Sequence, residues 1–177
     1  MKRLAVTAAA LSAAALASSA HAALPIGAAA PTFTGKGGLA GKEIDFNLAT
    51  ALKKGPVVLY FFPAAFTSGC TKEAHDFAEA TADFAKLNAT VVGVTAGNAD
   101  RVVEFSKVEC RDKFAVIADP GGAISKTYDA KMPVVAYSAR TSYVIAKDGK
   151  IALAYNDMNP DQHVAKTLAA VKGLSAK

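Results

Sequence analysis

A continuous run of strand-forming residues, followed closely by a helical pattern, most constrains the fold of this chain. Residues 57–62 read Val-Val-Leu-Tyr-Phe-Phe, a pattern typical of a strand buried on both faces of a sheet. From Cys70 onward, apolar residues recur at helical spacing, and the charged residues lie mostly on other faces. A buried strand that leads into an amphipathic helix indicates an α/β protein.

The rest of the chain continues this alternation of strands and helices. Further strands are predicted at residues 90–95, 114–118 and 141–146, and a hairpin turn at 147–150 leads to a strand at 151–155. Helices are predicted at residues 70–88, 100–107, 123–128 and 160–171, and residues 23–36 are predicted to be an extended lead-in. We therefore predict an α/β fold with a central mixed β-sheet flanked by helices on both faces. This is the thioredoxin-like plan, although the pattern alone leaves other α/β sandwiches open.

The first 22 residues have the features of a secretory signal peptide. Lys2 and Arg3 form a positive start, an Ala/Leu-rich apolar stretch follows, and residues 20–22 match a small-x-small cleavage signal. The apolar stretch is too short and too rich in Ala for a spanning helix. We expect cleavage after Ala22, a periplasmic or secreted location, and a single domain at residues 23–177.

Charge and cysteine content narrow the classes of function. The net charge is +5, but the basic residues are scattered and form no stripe, so nucleic-acid binding is not expected. The chain has two cysteines, Cys70 and Cys110, and in an exported protein such a pair is compatible with a structural disulfide. Cys70, however, lies at a predicted helix N-terminus, where the helix dipole favours the reactive thiolate. This position indicates thiol-based redox chemistry.

The residues around Cys70 carry a resemblance to a known family. Residues 61–73 read Phe-Phe-Pro-Ala-Ala-Phe-Thr-Ser-Gly-Cys-Thr-Lys-Glu, which sets Pro63, Thr67 and Cys70 at the spacing Pro-x-x-x-Thr-x-x-Cys. This string resembles the active-site motif of the peroxiredoxins, within the alkyl hydroperoxide reductase/thiol-specific antioxidant superfamily. The closest resemblance is to the Q-type (bacterioferritin-comigratory) members. Residues 139–151, which contain Arg140, resemble the strand that carries the family's active-site arginine, and a weaker match runs from about residue 26 to 172.

The resemblance implies a thiol-dependent peroxidase that reduces hydrogen peroxide and small organic hydroperoxides. Cys70 would be the nucleophile, and Arg140 would favour its thiolate and stabilise charge on the departing oxygen. Thr67 would hydrogen-bond the sulfur and the peroxide. Pro63 would shape the turn and shield the sulfur, and the backbone N–H of Gly69 would help to hold an oxygen. A thioredoxin-like dithiol protein would supply electrons, and no metal, haem, flavin or nicotinamide is implied.

The chain departs from many Q-type relatives at one position. They have a second cysteine five residues after the first, whereas this chain has His75 there. Some relatives place the resolving cysteine on the following helix, and Cys110 lies at the end of that predicted helix. We therefore expect Cys110 to form an intramolecular disulfide with oxidised Cys70. His75 is expected to be a partly exposed helix residue, and neither it nor His163 has the spacing of a metal ligand.

Three other interpretations stay open. In the first, the chain is a one-cysteine peroxiredoxin in which Cys110 takes no part in the reaction. In the second, it is a thioredoxin-like thiol–disulfide oxidoreductase. In the third, it is a non-enzymatic exported domain stabilised by a disulfide. Thioredoxin-type chemistry normally uses Cys-x-x-Cys, whereas Cys70 is followed by Thr-Lys-Glu. No membrane partner is expected, and the resemblance implies a monomer or a weak dimer.

Overall fold

A computed structural model describes residues 23–176 of the chain. The predicted signal peptide, residues 1–22, lies outside the described residues, so its cleavage stays a prediction. Within 23–176, no helix has the length and apolar character needed to cross a membrane.

Within residues 23–176, seven strands and five helices follow one another along the chain. They are β1 (Thr34–Leu39), β2 (Lys42–Asn47), α1 (Leu48–Lys54), β3 (Val57–Phe61), α2 (Ser68–Lys86), β4 (Thr90–Thr95), α3 (Val102–Val108), β5 (Ala115–Ala118), α4 (Ala123–Thr127), β6 (Thr141–Ile145), β7 (Ile151–Asn156) and α5 (His163–Ser175). Single 3₁₀ turns precede α3 and α5. Every element from β3 to α5 was predicted, with ends that differ by a few residues. The predicted hairpin between β6 and β7 is confirmed.

The strands form one mixed sheet in the order β2-β1-β5-β4-β3-β6-β7. β3 pairs in parallel with β4 and antiparallel with β6, so it lies inside the sheet and all five of its residues are buried. In this register Phe61 lies opposite Thr141. Arg140, which immediately precedes β6, is thereby brought beside the point where the chain leaves β3 towards α2.

Helices cover both faces of the sheet, as predicted. One apolar cluster packs α2, α3 and α5 against the face that carries Val58 and Tyr60, and both cysteines belong to this cluster. The second cluster packs α1 and α4 against the face that carries Leu59 and Phe61. The fully apolar sequence of β3 follows from this double coverage.

The sequence prediction missed β1, β2 and α1, and the extended lead-in predicted at residues 23–36 is wrong at its end, since β1 begins at Thr34. β1 contains three glycines, which are depleted in most strands. They are needed here because neighbouring backbone approaches closely. A Cβ on Gly37 would lie 2.1 Å from the Val116 carbonyl oxygen in β5, and a Cβ on Gly38 would lie 2.4 Å from the Val103 Cα in α3.

Candidate functional site

Cys70 lies in the first turn of α2, and its side chain is only 1 % exposed. Thr67 is the N-cap residue, and its carbonyl accepts the N–H of Thr71 at 2.8 Å. The preceding N–H groups, including those of Gly69 and Cys70, have no acceptor within the helix. The sulfur therefore lies at the positive end of a 19-residue helix, beside donors suited to an anionic or partly charged oxygen.

Side chains at and just after the C-terminal end of β4 hold the loop between β3 and α2 through hydrogen bonds. Thr95 donates its hydroxyl hydrogen towards the Pro63 carbonyl oxygen at 3.2 Å, and the Asn98 side chain donates to the Ala65 carbonyl at 2.8 Å. Pro63 itself is partly buried where the chain leaves the sheet. These contacts fix the loop that delivers Cys70 to the helix N-terminus.

Phe66 is a fixed apolar residue at the end of this loop. Its φ of +64° lies in the left-handed region, which a bulky residue rarely adopts unless the surroundings enforce it. Its ring meets that of Phe105 edge-on at 5.1 Å, and the Arg101 guanidinium lies 3.9 Å from its centroid. The strained backbone is thus held by the packing of the ring against Phe105 and Arg101.

Thr67 is exposed, and its hydroxyl donates to the Ala64 carbonyl oxygen at 3.1 Å. The hydroxyl makes no capping bond to the helix. Because its hydrogen is already engaged, the oxygen offers its lone pairs to any further partner. It can therefore accept a hydrogen bond from a small O–H-bearing ligand at this helix end.

Arg140 is 4 % exposed, and its guanidinium is held by three different partners. Nη2 lies 3.6 Å from the Cys70 sulfur, Nη1 donates to the Glu73 carboxylate, and Nε donates to the Met158 carbonyl at 2.9 Å. Gly69 leaves room for this group, since a Cβ there would lie 3.2 Å from Nη2. Burial works against the positive charge, but Glu73 and Cys70 outweigh it and raise the pKa of Arg140, which therefore stays charged.

Glu73 is a component of the site that sequence reasoning missed. The sequence pattern places the charged residues of this helix mostly on its outer faces, but Glu73 is an exception, because it is fully buried. Its position three residues after Cys70, and therefore on the same helical face, was the available signal. Burial raises the pKa of Glu73 to about 8 despite the adjacent Arg140. Among the described residues, its Oε1 has no hydrogen-bond partner and lies 3.7 Å from Nδ1 of His163.

His163 is the second component that was missed. It begins α5, is fully buried, and lies 2.8 Å from the Ser142 hydroxyl and 2.9 Å from the Asp157 carbonyl. Burial lowers the pKa of His163, an effect only partly opposed by the Asp157 carbonyl. His163, Thr167 and Val171 are all buried at a four-residue interval, a spacing that could have placed His163 on the inner face.

Cys110 follows α3 and lies apart from the Arg140 contacts. Both cysteines are free thiols, and both belong to the same apolar cluster. Burial, and after it the charge of Glu109, raises the pKa of Cys110 far above its ordinary value. The next two residues, Arg111 and Asp112, have φ values of +51° and +64°, which are strained for side-chain-bearing residues. The structure therefore brings Cys70, Arg140 and Glu73 together and keeps Cys110 as a second, neutral thiol.

His75 is partly exposed, as expected, and connects α2 to the Cys110 segment. Its Nε2 lies 2.7 Å from Oε2 of Glu109. One turn along α2, Glu79 accepts from the Arg111 guanidinium at 3.1 Å. Within residues 23–176, no group of three or more His, Cys, Asp or Glu side chains is arranged to hold a metal ion.

Comparisons with known proteins point to one family. A family model described as the AhpC/TSA family matches residues 26–154. A putative peroxiredoxin of Mycobacterium tuberculosis is 33% identical over 136 residues, which cover 72% of this chain and 85% of that protein. The chloroplastic peroxiredoxin Q of Populus jackii is 33% identical over 150 residues, which cover 84% of this chain and 68% of that protein.

Solved structures confirm the predicted thioredoxin-like α/β fold. Peroxidoxin BcpB from Mycobacterium tuberculosis superposes with a TM-score of 0.75 at 28% identity, over 84% of this chain and 97% of that chain. The reduced 2-Cys peroxiredoxin of Plasmodium vivax gives a TM-score of 0.77 at 21% identity, over 85% of this chain and 82% of that chain. The second similarity is one of fold alone.

Proposed function

This chain belongs to the AhpC/TSA family and is a thiol peroxidase of the peroxiredoxin type, and on that premise we propose that Cys70 is the residue that attacks the peroxide. The observation that carries the proposal is the Arg140 guanidinium, whose Nη2 lies 3.6 Å from a buried sulfur at a helix N-terminus. A positive group and free N–H donors both favour the thiolate, which is the nucleophilic form. Cys110 has no such partner and is held as the neutral thiol.

The Cys70 thiolate attacks the terminal oxygen of the peroxide, and the O–O bond breaks. The peroxide's own hydroxyl proton passes to the leaving oxygen, which departs as water or an alcohol, and the sulfur is left as sulfenate, oxidised by two electrons. Arg140 and the first N–H groups of α2 stabilise the charge that develops on the oxygens. Thr67 accepts the hydrogen bond of the incoming peroxide, because its own hydrogen is engaged with Ala64. The substrates are hydrogen peroxide and small organic hydroperoxides.

Cys110 resolves the oxidised Cys70 in this proposal. The sulfenate takes up a proton from solvent, and the Cys110 thiol condenses with the resulting sulfenic acid, so that a disulfide forms and water leaves. Cys110 is the chain's one other cysteine, shares an apolar cluster with Cys70, and precedes two residues in strained conformations. A disulfide needs Cα atoms within about 7 Å, and both thiols are buried, so we propose that the segments around them rearrange locally as the bond forms. A thioredoxin-like dithiol protein then reduces the disulfide.

The amino-terminal 22 residues support export of the enzyme. The positive start, apolar stretch and Ala-His-Ala end give the features of a cleaved leader, and the peroxidase would then act in the periplasm or outside the cell. Amino-terminal sequencing of the protein from a cell envelope fraction tests this, and a mature chain that starts at Ala23 is the expected result.

The decisive experiment compares three proteins: the parent, Cys70→Ser and Cys110→Ser. With a thioredoxin-like reductant, the parent should consume hydrogen peroxide continuously, whereas Cys70→Ser should consume none. Cys110→Ser should complete one turnover and stop. After one equivalent of peroxide, mass spectrometry should show the loss of two hydrogens in the parent and an added oxygen in Cys110→Ser.

Two outcomes contradict the proposal separately. Continued peroxide consumption by Cys70→Ser would show that another group attacks the peroxide. Continuous turnover of Cys110→Ser at the parental rate would remove the resolving role, and the one-cysteine mechanism with an idle Cys110 would replace it.

A further inference from the structure

His163 is a buried ionisable residue that contacts the Asp157–Met158 segment and the Glu73 carboxyl group, both of which bind the Arg140 guanidinium or adjoin a residue that does. Its Nε2 lies 2.9 Å from the Asp157 carbonyl, and the carbonyl of the next residue, Met158, accepts from Arg140 Nε at 2.9 Å. On its other side, Nδ1 lies 3.7 Å from Oε1 of Glu73, whose second oxygen accepts from Arg140 Nη1. One imidazole therefore contacts the segment and the carboxyl group that orient Arg140.

The hydrogen-bond partners fix where the hydrogens of this cluster lie. A carbonyl oxygen only accepts, so Nε2 of His163 carries the hydrogen that binds Asp157. Nδ1 of the neutral ring then has a lone pair, which accepts the Ser142 hydroxyl hydrogen at 2.8 Å. Oε1 of Glu73 lies 3.7 Å from the same nitrogen, which is too far for a hydrogen bond, so Glu73 packs against the ring without sharing a proton with it.

Charged and titratable groups surround His163 from α2, from the start of β6, and from β7 and the segment that follows it. Glu73 faces it from α2, and Arg140 precedes β6 and disfavours a charged imidazole. Tyr155 of β7 lies with its ring 4.8 Å away, edge-on, and Asp157 follows β7. Burial raises the pKa of Glu73 and lowers that of His163, so it favours the uncharged form of both groups.

We propose that His163 is a positioning residue that aims the Arg140 guanidinium at the Cys70 sulfur, by holding the Asp157–Met158 carbonyls on one side and the Glu73 carboxyl on the other. The inference rests on the proposed function, in which Arg140 acts on Cys70. His163 touches neither the sulfur nor the peroxide in this role. It acts through the direction of the guanidinium, and a displacement of about 1 Å in such a group can lower a rate by about 100-fold.

A matched control lies one turn along the same helix. Thr167 is as buried as His163 and donates its hydroxyl hydrogen to the His163 carbonyl at 2.7 Å. Its recorded hydrogen bonds are confined to α5. Thr167→Val therefore removes a buried polar group from the same helix without removing a contact to Arg140, Glu73 or Asp157.

The experiment uses the Cys110→Ser chain, so that Cys70 is the single thiol. His163→Leu, His163→Gln and Thr167→Val are compared by the pH dependence of Cys70 alkylation with iodoacetamide, by the single-turnover rate with hydrogen peroxide, and by thermal unfolding. For His163→Leu we expect an upward move of the alkylation midpoint and a peroxide rate lower by about tenfold or more. His163→Gln, whose amide can donate to the Asp157 carbonyl, should restore most of both. Thr167→Val should lose stability with an unchanged alkylation profile.

The inference is overturned if His163→Leu keeps the parental alkylation profile and rate, or if Thr167→Val changes both as much at an equal loss of stability. Should the Leu variant fail to fold, His163→Asn takes its place, because Asn is too short to reach the Asp157 carbonyl. Equal behaviour of Asn and Gln then overturns the inference. Failure of the proposed function shows differently: the starting Cys110→Ser chain itself would not react with peroxide, and the alkylation profiles would still decide the role of His163.

Discussion

At the scale of single residues, burial and nearby positive charge have opposite effects on the ionisation of the Cys70 thiol. Cys70 is 1 % exposed, and burial alone disfavours an ionised thiol. The Arg140 guanidinium at 3.6 Å and the N-terminus of α2 act in the opposite direction. The neighbouring Glu73 balances Arg140 when ionised, so its protonation state sets how much positive charge the sulfur feels.

The Thr67 hydroxyl should matter through its oxygen rather than its methyl group. Thr67→Ser keeps an oxygen that can donate to Ala64 and accept from a peroxide, whereas Thr67→Val keeps the shape and removes both functions. We expect the peroxide rate of the Val variant to fall by about 100-fold and that of the Ser variant to stay close to the parent. Stopped-flow single-turnover measurements check this. A Val variant as fast as the Ser variant would remove Thr67 from peroxide binding.

Glu73 should give the protein a pH-dependent stability. Its pKa of about 8 lies above the ordinary value of 4.5, so the folded protein keeps a proton that the unfolded chain releases between these values. The stabilising contribution of the protonated group is therefore complete below about pH 4.5 and is lost as the pH rises towards 8. Glu73→Gln cannot ionise. The free energy of unfolding of this variant should therefore rise relative to that of the parent across this range, by on the order of 4 kcal/mol.

Urea unfolding of both proteins at several pH values measures this difference. Glu43→Gln, on the exposed strand β2, is the control and should show no such trend. A parent-to-variant difference that stays constant with pH would show that Glu73 is ionised throughout, with Arg140 fully compensating its burial.

At the scale of helices and strands, the sequence pattern sufficed to predict an element that is apolar along its whole length or along one face. β3 and α2 were predicted because a continuous apolar run and a 3.6-residue repeat are unambiguous, and the motif between them located Cys70. β1 was missed because tertiary packing, not strand propensity, selects its glycines. Glu73 and His163 were missed for a related reason: their spacing is compatible with an inner face, but a charged or polar residue is expected there only when partners from other elements are known.

The contact between α2 and the Cys110 segment should control how fast the disulfide forms. His75 and Glu109 are 34% and 15% exposed at a separation of 2.7 Å, whereas the pair Glu79–Arg111 is 70% and 47% exposed. In the proposed resolution step Cys110 leaves its buried position to reach Cys70, so contacts that hold its segment oppose the reaction. We expect Glu109→Gln to accelerate disulfide formation after peroxide attack by about threefold, and Glu79→Gln, which weakens the more exposed pair, to have a smaller effect.

Rapid quenching with a thiol-alkylating reagent, followed by mass spectrometry, separates the two steps. The loss of the Cys70 thiol should proceed at the parental rate in both variants, and the loss of the Cys110 thiol should differ. A Glu109→Gln protein that forms its disulfide no faster than the parent would show that release of this segment does not limit the rate.

At the scale of the whole molecule, the two cysteines are part of the core that joins α2, α3 and α5 to the sheet. An ordinary disulfide across such a span would stabilise the fold by about 4 kcal/mol, because it shortens the free loop of the unfolded chain. Here the thiols are 1 % and 0 % exposed among aromatic neighbours, so withdrawing them removes apolar packing and leaves part of the cluster unfilled. These two effects act in opposite directions.

Hydrogen exchange of the reduced and oxidised proteins distinguishes which regions lose packing. We expect protection to fall on oxidation in two segments, residues 66–74 at the start of α2 and residues 106–114 around Cys110, because both open in the proposed resolution step. β3, β4 and β6 should keep their protection, since the second apolar cluster holds the opposite face of the sheet.

Cys110→Ser treated with the same peroxide is the control and should keep protection at residues 106–114. Full protection of both segments in an oxidised monomer would mean that the thiols join without local opening, and a doubled mass without a reductant would mean that the disulfide instead links two chains.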